Sequence, residues 1–300
     1  MKVLLTGASG FLGKNITDVF SLHGVDSVVI GRQRPTHVHE SKFFNIDILE
    51  CIDFEHLVKL SGATHLLHLA WYTDHGKCWE SPINLRWVDS TVRLVEAFCR
   101  SGGQQVVIAG TCAEYDWSFG YCKEDHTPLK PSTLYGIAKD ASRRLVTAIC
   151  DQYEIPCAWG RIFFPYGPGE DSRRLIPALM KVFDGHRVPF GVNAGIYRDF
   201  IHAKDVATGF LTLLQKRATG AFNISTEIPT KIGTVVELLA SARSADPQIV
   251  LKLLSARKGE PAMLVGDNHK LKDLGWEPKY YLEEMIRSGR TYQTGKEELE

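Results

Sequence analysis

Hydrophobic positions in the first half of the chain follow two alternating patterns. Short runs that are apolar throughout, such as KVLLTG (2–7) and QQVVIAG (104–110), are typical of strands buried on both faces of a parallel sheet. Longer segments with apolar residues three and four positions apart predict helices, for example over 83–102 and 132–153. Strands that alternate with helices in this way predict an α/β fold, a doubly wound parallel sheet.

The alternation weakens beyond about residue 165, where loops such as PYGPGEDS (165–172) and FGVNAGIYRDF (190–200) interrupt it. We therefore predict a nucleotide-binding Rossmann domain over residues 1–165, to which the chain returns near 200–225. Residues 166–300 are predicted to form mainly a smaller C-terminal substrate-binding lobe.

Composition and charge narrow the possible partners. The 300 residues carry 35 basic and 35 acidic side chains, and this balance argues against nucleic acid or an anionic membrane as partner. No apolar run reaches membrane-spanning length, and the N-terminus meets glycines too early for a signal peptide. Seven cysteines without a CxxC pair predict reduced thiols in a cytoplasmic protein, and the histidine and cysteine spacings predict no structural metal.

The segment TGASGFLG places three glycines at GxxGxxG spacing between the first strand and the first helix. In this position glycines allow a tight turn and a close approach of the backbone to a pyrophosphate, which then lies at the helix N-terminus. A bound dinucleotide is therefore predicted. The residues expected to contact it are Gly7, Ser9, Gly10, Phe11, Leu12 and Gly13.

The end of the second strand indicates which dinucleotide binds. An Asp or Glu usually stands there to bind the adenosine ribose, but this chain has Gly31 followed by Arg32. A guanidinium can bind a 2′-phosphate, so the sequence favours NADP(H) over NAD(H). Asp47 and Ile48 are expected near the adenine, and Leu69, Ala70 and Phe163 elsewhere along the cofactor.

The segment LYGIAK contains a tyrosine and a lysine four residues apart, Tyr135 and Lys139, which places both side chains on one helix face. A nearby ammonium is expected to lower the pKa of the tyrosine from its usual value of about 10. Such a tyrosine can exchange a proton with a carbonyl or hydroxyl group while a nicotinamide exchanges a hydride.

Together these motifs resemble the extended short-chain dehydrogenase/reductases of the branch that modifies nucleotide-activated sugars. The resemblance includes TGASGFLG, GTCAEY, YGIAK, RIFFPYGPGE, RDFIHAKDVA and LGWEP, and so extends over nearly the whole chain. It implies that Thr111 hydrogen-bonds the substrate oxygen beside Tyr135, and that Lys139 also holds the nicotinamide ribose. It further implies a homodimer formed by two long helices.

The residues that follow Thr111 limit which reactions of this family the chain is expected to catalyse. Dehydratases of this family carry an Asp-Glu pair where this chain has Cys112 and Ala113, which argues against dehydration. Cys112 is expected to pack rather than react, because Glu114 does not supply the positive surroundings that a thiolate needs. An NADPH-dependent reductase of a nucleotide-linked 4-keto-6-deoxyhexose is the favoured function, as in bacterial deoxysugar reductases. A nucleotide-sugar 4-epimerase with bound NAD(P) is the alternative, and a non-catalytic NADP-binding sensor is the third hypothesis.

The resemblance also implies contacts with the nucleotide sugar. The expected substrate-binding residues are Asn84, Arg174, Leu175, Arg198, Arg257 and Glu260. Many relatives have Asn where this chain has Phe164, so one polar contact to the substrate is expected to be missing. The aromatic residues Trp71, Tyr72 and Trp117 can line a sugar, although packing or simple exposure is the ordinary role of such side chains.

Overall fold

The fold is taken from a computed structural model, which describes residues 1–36, 38–255 and 259–290. The strands are β1 Lys2–Thr6, β2 Asp26–Gly31, β3 Phe43–Asn45, β4 His65–His68, β5 Gln105–Thr111, β6 Tyr121–Cys122, β7 Cys157–Ile162, β8 Phe164–Tyr166, β9 Tyr197–Arg198, β10 Phe200–His202, β11 Gly220–Ile224, β12 Thr230–Lys231 and β13 Met263–Gly266. The helices are α1 Phe11–Leu22, α2 Phe54–Ser61, α3 Ile83–Arg100, α4 Leu134–Gln152, α5 Leu175–Phe183, α6 Ala203–Gln215, α7 Ile232–Ser241, α8 Gln248–Leu251, α9 His269–Lys272 and α10 Leu282–Arg287.

A seven-stranded parallel sheet forms the centre of the molecule, in the order β3-β2-β1-β4-β5-β7-β11. The strand order reverses direction between β1 and β4, and ligands of doubly wound sheets bind at such a point, beyond the carboxyl ends of the strands. The predicted fold class is therefore confirmed. Residues 1–165 supply six of these strands, and β11 is added after the chain has passed through the lobe.

Apolar side chains cover both faces of this sheet. On one face α1 and α6 contribute residues such as Ile16, Phe20 and Phe210, all buried against the strands. On the other face α2, α3 and α4 contribute a second core that includes Phe98 and Val146. Because the strands are buried on both sides, their sequences are apolar throughout.

The lobe has a core of its own, in which α5, α7 and α10 pack together. Beside it lie the sheet β12-β9-β13-β6 and the parallel pair β8–β10. All seven cysteines lie in the described part of the chain and carry free thiols. Within the same residues, the longest apolar helical stretch falls short of what a membrane crossing requires.

Candidate active site

A cleft of about 1070 Å³ opens between the carboxyl edge of the central sheet and the lobe. The residues predicted from the sequence that line it are Gly7, Ser9, Gly10, Phe11, Leu12, Gly13, Arg32, Asp47, Ile48, Leu69, Ala70, Thr111, Tyr135, Phe163, Arg174, Leu175, Arg198 and Glu260. Lys139 and Asn84 are buried beneath its surface. Arg257 lies outside the described residues.

The loop between β1 and α1 forms one end of the cleft. A Cβ atom added to Gly13 would lie 2.1 Å from the carbonyl oxygen of Gly7, so the turn closes this tightly only with glycine at position 13. Helix α1 starts at Phe11, and its N-cap residue, Gly10, has no side chain to bond the first-turn N–H groups. Free N–H groups at a helix N-terminus bind anions, so the loop fits the pyrophosphate of a dinucleotide.

The adenosine end of the cleft lies beside the end of β2. Gly31 is the last residue of that strand, and the Arg32 side chain is exposed at the cleft wall. Asp47 has a structural role here, because its carboxylate accepts a hydrogen bond from the N–H of Leu49 at 3.0 Å and caps the turn that follows. The turn buries Ile48 between the sheet and α3.

Thr111 and Tyr135 meet at the opposite end of the cleft. Thr111 is the last residue of β5, and its hydroxyl accepts a hydrogen bond from the N–H of Ala113 at 3.2 Å. Helix α4 approaches this turn so closely that a Cβ atom on Gly136 would lie 2.4 Å from the Ala113 carbonyl oxygen. This packing brings the Tyr135 phenol close to the Thr111 side chain, and both residues line the cleft.

The expectation that Lys139 lowers the pKa of Tyr135 is wrong for this structure. Burial raises the pKa of the Tyr135 phenol above its usual range, and the hydrogen bond with Thr111 opposes this only in part. The Lys139 ammonium donates to the carbonyl oxygen of Ala109 at 2.9 Å and lies 3.8 Å from the centre of the Trp71 ring. Burial lowers the pKa of Lys139 to about 7, while Glu114 acts in the opposite direction. In this geometry the Tyr135 phenol is protonated at neutral pH.

Glu114 is buried directly behind Thr111. Its carboxylate accepts hydrogen bonds from the Thr111 N–H at 2.9 Å, from Trp159 Nε1 at 2.8 Å and from Arg161 Nε at 2.8 Å. Because both oxygens are occupied inside the core, Glu114 holds the end of β5 in place and does not face a substrate. Neighbouring Cys112 is buried as well, and burial raises the pKa of its thiol, which agrees with packing rather than reactivity.

Asn84 differs from its prediction as a substrate-binding residue. It is fully buried, and its side-chain NH₂ donates to the carbonyl oxygens of Cys78 at 2.7 Å and Ser81 at 2.9 Å. Its side-chain oxygen accepts a hydrogen bond from Trp71 Nε1 at 2.8 Å. Asn84 therefore fixes the loop after β4 and the Trp71 ring, because the close fit of α3 leaves the amide no access to the cleft.

Tryptophan side chains form the wall of the cleft beside Tyr135. The Trp71 and Trp79 rings meet the Tyr135 ring edge-on, with centroids 6.5 and 5.6 Å away, and Trp79 also contacts Trp117. Trp87 stacks on Trp71 and lines the cleft, and its buried Nε1 has no hydrogen-bond partner among the described residues. Trp71 and Trp117 were expected from the sequence as residues that can line a sugar, whereas Trp79 and Trp87 were not. The sequence feature that could have identified these two residues is the high density of aromatic residues just after β4.

Tyr72 stands apart from this wall. Its hydroxyl is directed toward Asp74, at 3.5 Å from the Oδ2 atom, in the loop that follows β4. The hypothesis that Tyr72 lines a sugar therefore gains no support from this contact.

Two arginines predicted to bind the substrate lie on the lobe side of the cleft, and each is already ion-paired. Arg174 Nε lies 3.1 Å from Glu170 Oε1, just before helix α5. Arg198 is buried beside Glu260, at 3.6 Å, and also donates to the carbonyl oxygen of Pro261 at 3.0 Å. Burial lowers the pKa of Arg198, and the Glu260 carboxylate opposes this effect. A diphosphate at either arginine would therefore replace or share an existing carboxylate partner.

One group of potential metal ligands lies away from the cleft. Ligand atoms of Glu227, Asp267 and His269 lie within 4.8 Å of one another. Lys272 is 3.2 Å from Glu227, and Lys123 is 3.2 Å from Asp267. These ammonium groups already balance the carboxylates, so the group carries no argument for a cation, and the absence of a structural metal stays a prediction.

Comparison with known proteins gives one family match and several relatives. The model of the NAD dependent epimerase/dehydratase family matches residues 3–225. UDP-glucose 4-epimerase of Corynebacterium glutamicum is 26% identical over 306 residues, which cover 93% of this chain and 92% of that protein. dTDP-6-deoxy-L-talose 4-dehydrogenase (NAD(+)) of Aggregatibacter actinomycetemcomitans is 24% identical over 242 residues, or 79% of this chain and 88% of that protein.

A solved structure has the same fold over nearly its whole length. The complex of Thermus thermophilus UDP-glucose 4-epimerase with NAD superposes with a TM-score of 0.83 at 24% identity, covering 96% of this chain and 97% of that one. At this identity the likeness establishes the doubly wound fold with its lobe.

Proposed function

The chain belongs to the NAD dependent epimerase/dehydratase family, and on that premise we propose that it is a nucleotide-sugar 4-epimerase. As a member it is an enzyme of the short-chain dehydrogenase/reductase type. The reaction would oxidise the C4 carbinol of a nucleotide-linked hexose and reduce the resulting ketone from the other side. The sequence motifs favoured a reductase instead, and the relatives named as 4-epimerases are the reason for the difference.

The contact between Thr111 and Tyr135 at the end of the cleft carries the proposal. The pair offers a hydroxyl and a phenol to one substrate oxygen, as proton exchange at a carbinol or ketone requires. Cys112 and Ala113 follow, and Glu114 is buried with both oxygens bonded, so the turn after Thr111 offers no free carboxylic acid to eliminate water. With elimination of water excluded, the chemistry that the site supports is oxidation and reduction at a single carbon.

Each residue then has a defined task. Tyr135 would donate its phenolic proton to the C4 oxygen when the ketone is reduced and, as the phenolate, would accept that proton when the carbinol is oxidised; Thr111 orients the oxygen by hydrogen bonding. Lys139, one helical turn further along α4, supplies positive charge behind the phenol. A bound nicotinamide would supply the hydride chemistry.

The cofactor is proposed to lie along the wall formed by the β1–α1 loop and the ends of β4 and β5. The Gly13 turn fits a pyrophosphate, and Trp87 Nε1, unpartnered among the described residues, is a donor for a ribose or phosphate oxygen. The family description and the relative named as NAD(+)-dependent favour NAD. The preference for NADP(H) rests on Arg32 and on the lack of a carboxylate at Gly31. For the other residues expected from the sequence to contact the dinucleotide, the same contacts are proposed.

A second candidate is the reductase of a nucleotide-linked 4-keto-6-deoxyhexose. Arg32 favours it, because a reductase consumes a reductant at every turnover and NADPH is the usual cellular supply. The two candidates share the same site residues but differ in substrate and in whether the cofactor is regenerated within the reaction.

The nucleotide sugar is proposed to bind against the lobe. Arg174 and Leu175 lie at the N-terminus of α5, and Arg198 and Glu260 face the cleft across from it. A homodimer through α3 and α4 is a further proposal. Leu85, Ile137 and Leu145 on these two helices are exposed, as such an interface needs. Light scattering of the purified protein would test it.

Substrate assays with a cofactor balance test the proposal. UDP-glucose and dTDP-glucose are each incubated with the enzyme and a trace of NAD(P), and the products are separated by chromatography. The epimerase converts a large excess of sugar per cofactor, with no net change in absorbance at 340 nm. Stoichiometric NADPH consumption with a dTDP-4-keto-6-deoxyhexose, and no epimer, would favour the reductase instead.

A further inference from the structure

Trp71 and Lys139 form a buried pair that neither the family motifs nor the proposed mechanism includes. Lys139 Nζ lies 3.8 Å from the centre of the Trp71 ring, well within the range of a cation–π interaction. Lys139 is only 3% exposed, and its amino group also donates to the Ala109 carbonyl oxygen at 2.9 Å. The ring therefore takes the place of water beside this ammonium.

The Trp71 ring is itself held in place. Its Nε1 donates to the side-chain oxygen of Asn84 at 2.8 Å, and Asn84 is in turn bonded to two backbone carbonyls. One side of the ring stacks on Trp87, with centroids 6.0 Å apart and the planes at 27°. A ring held by these contacts presents one face to Lys139.

The same ring also contacts Tyr135. The Tyr135 ring meets Trp71 edge-on at 6.5 Å, and Tyr135 and Lys139 lie one turn apart on α4. We propose that Trp71 is a positioning residue that keeps Lys139 protonated and in line with Tyr135. This inference rests on the proposed function, because it assumes that Lys139 supplies positive charge behind the Tyr135 phenol.

The other groups around Lys139 do not replace this role. The titratable groups that face it are His68 from β4, Glu114 from the turn after β5, and Tyr135 from its own helix. His68 is held between the hydroxyls of Thr6 and Thr91, and burial keeps it neutral, with its pKa lowered to about 3. Glu114 favours the ammonium, but its oxygens are bonded to other groups, Arg161 among them.

The test measures the ionisation of Lys139 directly. Cofactor-stripped protein labelled with ¹³C at the lysine Cε is titrated by NMR, and the Lys139 signal is assigned with Lys139→Met. We expect Trp71→Leu to lower the titration midpoint by about one pH unit, a tenfold change in the protonation equilibrium of Lys139. Trp71→Phe keeps an aromatic face and should lower the Lys139 midpoint by less than Trp71→Leu does. An unchanged or raised midpoint in Trp71→Leu would overturn the proposal.

Trp79→Leu is the matched control, because Trp79 contacts the Tyr135 ring as Trp71 does, whereas the cation–π partner of Lys139 is Trp71. It should leave the Lys139 midpoint unchanged, and a shift equal to that of Trp71→Leu would overturn the assignment. Asn84→Ala loosens the ring without removing it and covers the case in which Trp71→Leu does not fold.

The basic limb of the pH profile for turnover should move down with the Lys139 midpoint in Trp71→Leu. A shifted midpoint in a protein that epimerises no sugar would contradict the proposed function but uphold the Trp71 contact. Sugar epimerisation together with an unchanged Lys139 midpoint in Trp71→Leu would support the proposed function but contradict the role of Trp71.

Discussion

Glu114 Oε2 accepts a hydrogen bond from Arg161 Nε at 2.8 Å, inside the core and directly behind Thr111. The two side chains are 0 and 1% exposed, so neither charge has water to replace its partner. Arg161 also donates to the Tyr115 hydroxyl, which in turn donates to Asn223. The end of β5, where the substrate oxygen is proposed to bind, therefore rests on a buried ionic network.

Removing one member of this pair should destabilise the protein strongly. For Arg161→Met we expect the free energy of unfolding to fall by about 3–5 kcal/mol, because Glu114 is left as an uncompensated buried charge. Urea unfolding followed by circular dichroism measures this loss. The double variant Glu114→Met/Arg161→Met should recover part of it. A single variant that loses less than about 1 kcal/mol would show that the pair does not hold the network together.

Replacing the proposed catalytic phenol should separate chemistry from binding. Tyr135→Phe removes the proton donor but keeps the ring contacts with Trp71 and Trp79, so turnover should fall by about 10²–10⁴-fold. Cofactor affinity, measured by calorimetry, should change little. Activity close to that of the unmodified enzyme would remove Tyr135 from the mechanism.

The buried ammonium should make stability depend on pH. The folded protein holds Lys139 with a pKa of about 7, against 10.5 for an unperturbed lysine, so between these values the unfolded chain binds more protons. The cost of burying the charge is complete below pH 7 and is relieved as the pH rises toward 10.5.

Lys139→Met should therefore be more stable than the cofactor-stripped unmodified protein at pH 6.5, by on the order of 3 kcal/mol. The difference should narrow toward pH 10, and thermal unfolding at both pH values measures it. A variant that is less stable than the unmodified protein at pH 6.5 would contradict this assignment.

Arg32 should decide how well the enzyme distinguishes the two dinucleotides. If Arg32 binds a 2′-phosphate, Arg32→Ala weakens NADPH binding by about tenfold and leaves NADH binding nearly unchanged. Fluorescence titration with both nucleotides measures the ratio. Equal losses for both, or none, would show that Arg32 plays no part in the choice of cofactor.

Local patterns predicted a large part of this molecule. The glycine loop, the buried strands and the four-residue spacing of Tyr135 and Lys139 are features of contiguous sequence, and the fold that they predict is confirmed. Thr111 was expected beside Tyr135 from the resemblance alone, and the two side chains meet in the structure.

Where the structure differs from the sequence-based predictions, the cause is contacts between segments that are far apart in the sequence. Trp71 reaches Lys139 across 68 positions of sequence because β4 pairs with β5, against which α4 packs, and Asn84 turns inward to hold that ring. The raised pKa of Tyr135 depends in the same way on how deeply the phenol is buried. Spacing along one helix indicates which groups are near each other but not how much water reaches them.

Deuterium at C4 of the sugar gives the most direct test of the proposed epimerase. UDP-glucose or dTDP-glucose labelled with deuterium at C4 is incubated with the enzyme and a trace of unlabelled NAD(P), and the product is analysed by NMR and mass spectrometry. Oxidation and reduction at the same carbon predict a C4 epimer that retains the deuterium at C4. Failure to form any C4 epimer from either sugar, or an epimer that has exchanged its C4 deuterium for solvent hydrogen, would contradict the account.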